Sequence, residues 1–123
     1  MAQQDDVVYV GHMLDMTRRA VKAIKNKSRT KYDKDDILRL GLTHLVQVIG
    51  EAARKVSAKF QRAHPEIPWR NIIGMRHRIV HDYMRVDEDI LWQVVTNDLP
   101  ELLPLLEEIM PEEEDSQSAT NTP

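Results

Sequence analysis

Hydrophobic positions in this chain recur with a helical period almost from its start. Val7, Val10, Leu14, Thr17, Val21 and Ile24 follow one another at alternating spacings of 3 and 4, which predicts one amphipathic helix of about twenty residues. Asp5 and Asp6 suit its start, and Lys25 and Lys27 its end, by the sign of the helix dipole. Ser28 to Tyr32 reads as a short polar connection. Asp33 is then a candidate cap, with Asp35 and Asp36 in the first turn of a second helix. That helix carries a wide apolar set from Ile37, Leu38 and Leu42 through Val46, Ile49 and Ala53 to Val56 and Phe60. The width predicts contacts on more than one side, as for the central helix of a bundle. Gly41 and Gly50 each cost about 1 kcal/mol relative to alanine inside a helix, so both predict close approach of a neighbouring backbone.

His64-Pro65-Glu66-Ile67-Pro68-Trp69 interrupts this pattern, and Pro68 stands where a new helix can begin. A third helix is predicted over Trp69 to Asp82, burying Ile72, Ile73, Ile79 and Val80. Asp87 opens a fourth through Ile90, Leu91, Val94 and Val95. Asn97 or Asp98 caps a fifth, with Pro100 in its first turn and Pro104 placed to bend it. No strand pattern, internal repeat or glycine-rich phosphate loop is found. The expected architecture is all-α, an antiparallel bundle of four to five helices over residues 1–110. Residues 111–123, from Pro111 through Glu112-Glu113-Glu114-Asp115 to a Ser/Thr/Asn run, have nothing to bury and read as an acidic disordered tail.

Composition narrows the class. The 123 residues are 41% hydrophobic, enough for one modest core. The absence of cysteine excludes a disulfide framework, a thiolate nucleophile and a zinc–thiolate site. No basic leader or apolar run of about 18 residues is present, so no membrane association is expected and the location expected is cytoplasmic. The net charge of −3 hides a division: residues 1–85 hold all 17 Lys and Arg against 9 acids, a balance of +8, whereas residues 86–123 hold 11 acids and no base. The basic part suits a polyanion such as RNA, or is an ordinary solvated helix surface.

The chemistry concentrates in Gly74-Met75-Arg76-His77-Arg78-Ile79-Val80-His81-Asp82-Tyr83. On one helix, at roughly 100° per residue, Arg76 and Tyr83 share a stripe and His77 and His81 share the next. His81 then lies about 140° round from Arg76. A bent guanidinium, a helix that frays near Asp82, or a second copy of the chain could each bring the two together. His77 and His81 have the spacing of half a zinc site, but no further ligands accompany them, and no metal or cofactor is expected. His12, His44 and His64 are isolated and read as structural. An imidazole able to move a proton at neutral pH and a guanidinium able to hold a phosphate are the two groups that RNA self-cleavage needs, because RNA carries its own 2′-hydroxyl nucleophile.

Arg76-x4-His81-x-Tyr83 resembles the signature of the HepT-like toxins, a branch of the HEPN superfamily of helical ribonucleases. Ile49-Gly50-Glu51-Ala52-Ala53, His64-Pro65-Glu66-Ile67-Pro68-Trp69 and Ile72-Ile73-Gly74-Met75-Arg76 are similar to family blocks in the same order. The resemblance implies a homodimer that cleaves RNA without a metal in a cleft at its two-fold axis, as the toxin of a type VII toxin–antitoxin system. Arg76 is then implied to stabilise phosphate and His81 to act as general acid and base. His77, at a position often held by asparagine, and Arg78 are implied substrate contacts. Tyr83 is implied to receive AMP from a partner antitoxin, a minimal nucleotidyltransferase, with inhibition as the result. The alternatives are a non-catalytic helical module that binds RNA or a protein through the same surface, and a structural subunit of a nucleotidyltransferase complex.

Overall fold

The architecture was obtained as a computed structural model; residues 2–82 and 85–110 are described. Tyr83 and the acidic tail 111–123 lie outside the described residues. The expected helical bundle is present. Helix α1 (Ala2–Ile24) packs lengthwise on α3 (Asp36–Lys55) and on α8 (Leu99–Ile109). Its buried positions are Val10, Met13, Leu14, Thr17, Ala20 and Ile24, the predicted stripe turned slightly toward Met13 and Ala20. Asp6 does more than decorate a helix start. It is buried, and its carboxylate accepts the Ser57 N–H at 2.8 Å and the Ser57 hydroxyl at 2.7 Å. The Ser57 Oγ in turn accepts the Phe60 N–H at 3.1 Å and caps α4 (Ala58–Ala63). That chain of bonds ends α3 at Lys55, short of the predicted Phe60.

The connection expected at Ser28 to Tyr32 is instead a short helix, α2 (Arg29–Lys34). Ser28 caps it by accepting the Lys31 N–H at 3.1 Å, while Asp35, not Asp33, caps α3 through the Leu38 N–H at 3.0 Å. The turn of helix sends Tyr32 into the core, where its ring centroid lies 5.0 Å from that of Trp92. Its hydroxyl donates to the Glu88 carboxylate at 2.9 Å. Burial and that carboxylate push the Tyr32 phenol well above its ordinary pKa, so it stays a neutral donor. Ile37, a predicted member of the apolar set of α3, is not in the core: it is 77% exposed, and Leu40 on the same helix is 66% exposed.

Pro68 precedes α5 (Trp69–Ile73) as expected. The preceding turn is locked by Trp69 Nε1–H donating to the His64 carbonyl at 2.9 Å and by burial of Ile67. α5 passes through Gly74 into α6 (Met75–Ile79), which stops three residues before the predicted Asp82. The reason is local. The Ile79 carbonyl, which a continuing helix would offer to the amide four residues on, accepts the Asp87 N–H at 2.7 Å. The chain turns extended at Val80 and forms β1 (Val80–Asp82), antiparallel to β2 (Arg85–Val86), with Val80 opposite Val86 and an irregularity before Asp82 pairs with Arg85. No strand was expected here; Ile79-Val80 is a β-branched pair that suits it.

Asp87 caps α7 (Glu88–Gln93) as predicted, its Oδ1 accepting the Ile90 N–H at 3.0 Å. No fifth N-cap forms at Asn97 or Asp98. α7 runs through a π turn (Val94–Asp98) into α8, with the Leu99 N–H on the Val94 carbonyl. Pro100 stands in the first turn of α8 and Pro104 inside it, and neither brings an amide hydrogen to the ladder. Among the described residues no helix is long and apolar enough to cross a membrane.

Of the two glycines within α3, only one is explained by close approach. A Cβ on Gly50 would sit 3.1 Å from the Ile72 carbonyl oxygen of α5, whereas nothing lies within 4 Å of one on Gly41. Gly41→Ala is therefore expected to stabilise the fold by about 0.5–1 kcal/mol. Gly50→Ala should forfeit that gain and destabilise by on the order of 1 kcal/mol, since the obstacle is backbone. Urea denaturation of the two variants beside the parent chain measures both; equal effects at the two sites would refute this account.

Candidate nucleic-acid interface and active site

Helix α3 presents one polar stripe outward along its second half, with His44, Gln47, Glu51 and Arg54 at spacings of 3 and 4. α5 and α6 cross beside it, held close by Gly50. Between them lies an open cleft of about 890 Å³, into which α5 contributes Arg70 and α6 contributes Arg76 and His77. Arg54 is tied to Glu51 through a bidentate contact, Nη2 lying 2.6 Å from both carboxylate oxygens. That hydrogen bond holds the Glu51 carboxyl below the usual carboxylate range, with the positive charges of Lys55 and Arg76 helping, and raises the Arg54 guanidinium. Glu51 thus stays anionic and neutralises one arginine. Arg70 and Arg76 have no ion-pair partner among the described residues, so the cleft keeps two uncompensated guanidinium groups, with His44 and His77 at its edge.

His81 is not in that cleft. It stands on β1, exposed, in a neighbouring hollow lined also by Leu40, Arg85, Asp87 and Glu88. Its Nε2 lies 3.8 Å from Asp87 Oδ2. With the helix ended at Ile79, His77 and His81 are not an i, i+4 helical pair; the Arg76–Tyr83 stripe involves a residue outside the described ones. Within one chain Arg76 and His77 are brought together, and His81 is set apart from them. Arg78 opens onto a third, smaller hollow of about 340 Å³ that it shares with Glu66, Asp98 and Glu101, acidic company for a phosphate contact.

Sequence reasoning passed over Glu51, Arg54 and Arg70 as members of this site and took Asp87 for a helix cap alone. The repeat of polar residues at helical spacing from His44 to Arg54 is the signal that could have marked the first two. His44, read as structural, is exposed on the cleft. No comparable signal marked Arg70, whose place depends on how α5 crosses α3.

The profile of a family described as ribonuclease HepT-like matches residues 13–109. A candidate RNase from Caldanaerobacter subterraneus subsp. tengcongensis is 30% identical over 105 residues, 85% of this chain and 94% of that protein. A candidate RNase from Methanocaldococcus jannaschii is 24% identical over 102 residues, 83% of this chain and 94% of that protein. A candidate ribonuclease HepT from Thermococcus cleftensis is 44% identical over 57 residues, which are 46% of this chain and 52% of that protein. No solved structure matches significantly.

Proposed function

The chain belongs to the ribonuclease HepT-like family, and we propose that it is a metal-independent endoribonuclease, the toxin of a toxin–antitoxin pair. The observation that carries this reading is the pair of unneutralised guanidinium groups, Arg70 and Arg76, in one open cleft of about 890 Å³. Arg76 binds the scissile phosphate and stabilises the charge that grows on it. His81 removes the 2′-hydroxyl proton; the freed oxygen attacks phosphorus, the bond to the 5′ oxygen breaks, and that oxygen takes up a proton. His77 contacts the substrate beside Arg76. Arg78 is left out of the phosphate site because of its acidic neighbours.

Because Arg76 and His81 open onto different hollows in one chain, the reaction needs a second copy. The exposed face of α3 supports one. Ile37 and Leu40 are large apolar side chains in water; Leu40 borders the His81 hollow, and Val48 farther along borders the Arg76 cleft. Two-fold packing across this face covers the apolar residues and merges the hollows into one groove with each group present twice. Leu40→Asp is expected to yield a folded monomer by sedimentation that cleaves no RNA. An unaltered dimer would rule out this face.

With RNA at near-neutral pH, Arg76→Ala is expected to lower kcat by about 10²–10³ and to weaken binding as well. His81→Ala should lower kcat by about 10²–10⁴ while RNA is still bound. The competing reading, a module that only binds RNA, is favoured by the separation of Arg76 and His81 within one chain; it predicts no cleavage by the parent protein and little effect of either substitution on RNA integrity.

Tyr83 follows directly on β1, and we propose it as the site at which a partner nucleotidyltransferase attaches AMP. An adenylate there adds an anionic phosphate and bulk close in sequence to His81 and blocks the groove. Intact mass of the protein expressed with its partner should show one or more added AMP units, lost in Tyr83→Phe; an unchanged mass would remove this form of regulation.

A further inference from the structure

Almost every charged group around His81 is committed elsewhere. Arg85 Nε lies 3.0 Å from Asp82. Glu88 accepts the Tyr32 hydroxyl at 2.9 Å and lies 3.4 Å from Arg39. Asp89 lies 2.6 Å from Arg29. Asp87 is the exception, because His81 is its sole cationic neighbour within ion-pair distance among the described residues.

Asp87 is also held in place at both its backbone and its side chain. Its own N–H donates to the Ile79 carbonyl at 2.7 Å, and Oδ1 is engaged by the Ile90 N–H at 3.0 Å. Those two bonds fix the residue between the end of α6 and the start of α7. Oδ2 remains available, and it is the oxygen that faces the imidazole. The 3.8 Å separation to Nε2 is longer than a hydrogen bond, yet the His81 side chain is 54% exposed and a small rotation closes the gap. Such contacts commonly tighten only when substrate is bound.

We propose that Asp87 is a positioning residue for His81. Its Oδ2 accepts the Nε2–H, so the neutral imidazole presents Nδ1 to the substrate. This rests on the nuclease reading above. Nδ1 takes the 2′-hydroxyl proton, the 2′ oxygen bonds to phosphorus as the bond to the 5′ oxygen breaks, and the proton passes to the departing oxygen. Asp87 keeps its charge throughout and stabilises the imidazolium while it exists. One residue thereby does two things: it begins α7 and it selects which ring nitrogen reacts.

The two duties can be separated. Serine caps helices about as well as aspartate but is too short to reach the ring, whereas asparagine caps and accepts a hydrogen bond without charge. In the full-length protein, Asp87→Ser is expected to lower kcat on RNA about ten- to a hundredfold, by analogy with the loss when the partner orienting a metal-bound histidine is removed, with KM and folded content unchanged. Asp87→Asn should recover part of the loss. Nitrogen-15 NMR should find neutral His81 chiefly as the Nε2–H tautomer in the parent protein and as a mixture in Asp87→Ser. Parent-like kcat together with an unchanged tautomer in Asp87→Ser would overturn the proposal. If serine fails to hold the fold, Asp87→Asn decides, since parent-like kcat there excludes a role for the charge. An inert parent protein would sink the nuclease reading instead, while the tautomer comparison still judges the pairing.

Discussion

The carbonyl of Ile79 accepts a hydrogen bond from the amide of Asp87, eight residues on, and the layout of the candidate site follows from that choice of partner. A helix continuing past Ile79 would have taken the same carbonyl for its own ladder. Because the oxygen is engaged elsewhere, the chain leaves α6 as an extended strand, turns back as β2, and re-enters the bundle at α7. Buried Ile79 and Leu91 anchor the two ends of this excursion in the core. His81 is carried out on the strand and Arg76 stays behind on the helix. The same bond holds Asp87 beside His81.

Charge is distributed around this frame in a selective way. Arginines with structural duties are paired: Arg29 with Asp33 and Asp89, Arg39 with Asp36 and Glu88, Arg54 with Glu51. Exposed pairs of this kind add little to stability, but they cancel charge locally. Arg70 and Arg76, which have no ion-pair partner among the described residues, lie together in one cleft. A polyanion approaching the molecule therefore meets net positive charge there, although the protein as a whole is acidic. Arg78, only two residues from Arg76, faces the other side of α6 and an acidic hollow. Adjacent basic residues on a short helix do not share a role merely because they share a motif.

Membership of the ribonuclease HepT-like family and an all-helical core were legible in the residues themselves. The period of Val10, Leu14, Thr17 and Ile24, the breaks at Pro65 and Pro68, and the cap at Asp87 are local signals, and local signals survive folding. The Arg76-x4-His81-x-Tyr83 motif likewise marks a family without reference to any coordinate. Gly50 announced a close approach that the structure contains, while Gly41 carried the same signal over open space.

What only the tertiary structure decided is the direction in which those motif residues face. The i, i+4 arithmetic assumed one helix through Asp82, and its failure was invisible because the competing donor, the Asp87 amide, is remote in the chain. Burial of Tyr32, capture of Ser57 by Asp6 and the passage of α5 over Gly50 are equally non-local. The amino-acid sequence alone thus determined the elements, the family and the inventory of reactive groups, since each depends on neighbours a turn or two away. Which groups share a cleft was settled by long-range hydrogen bonds and packing, whose partners no local pattern names.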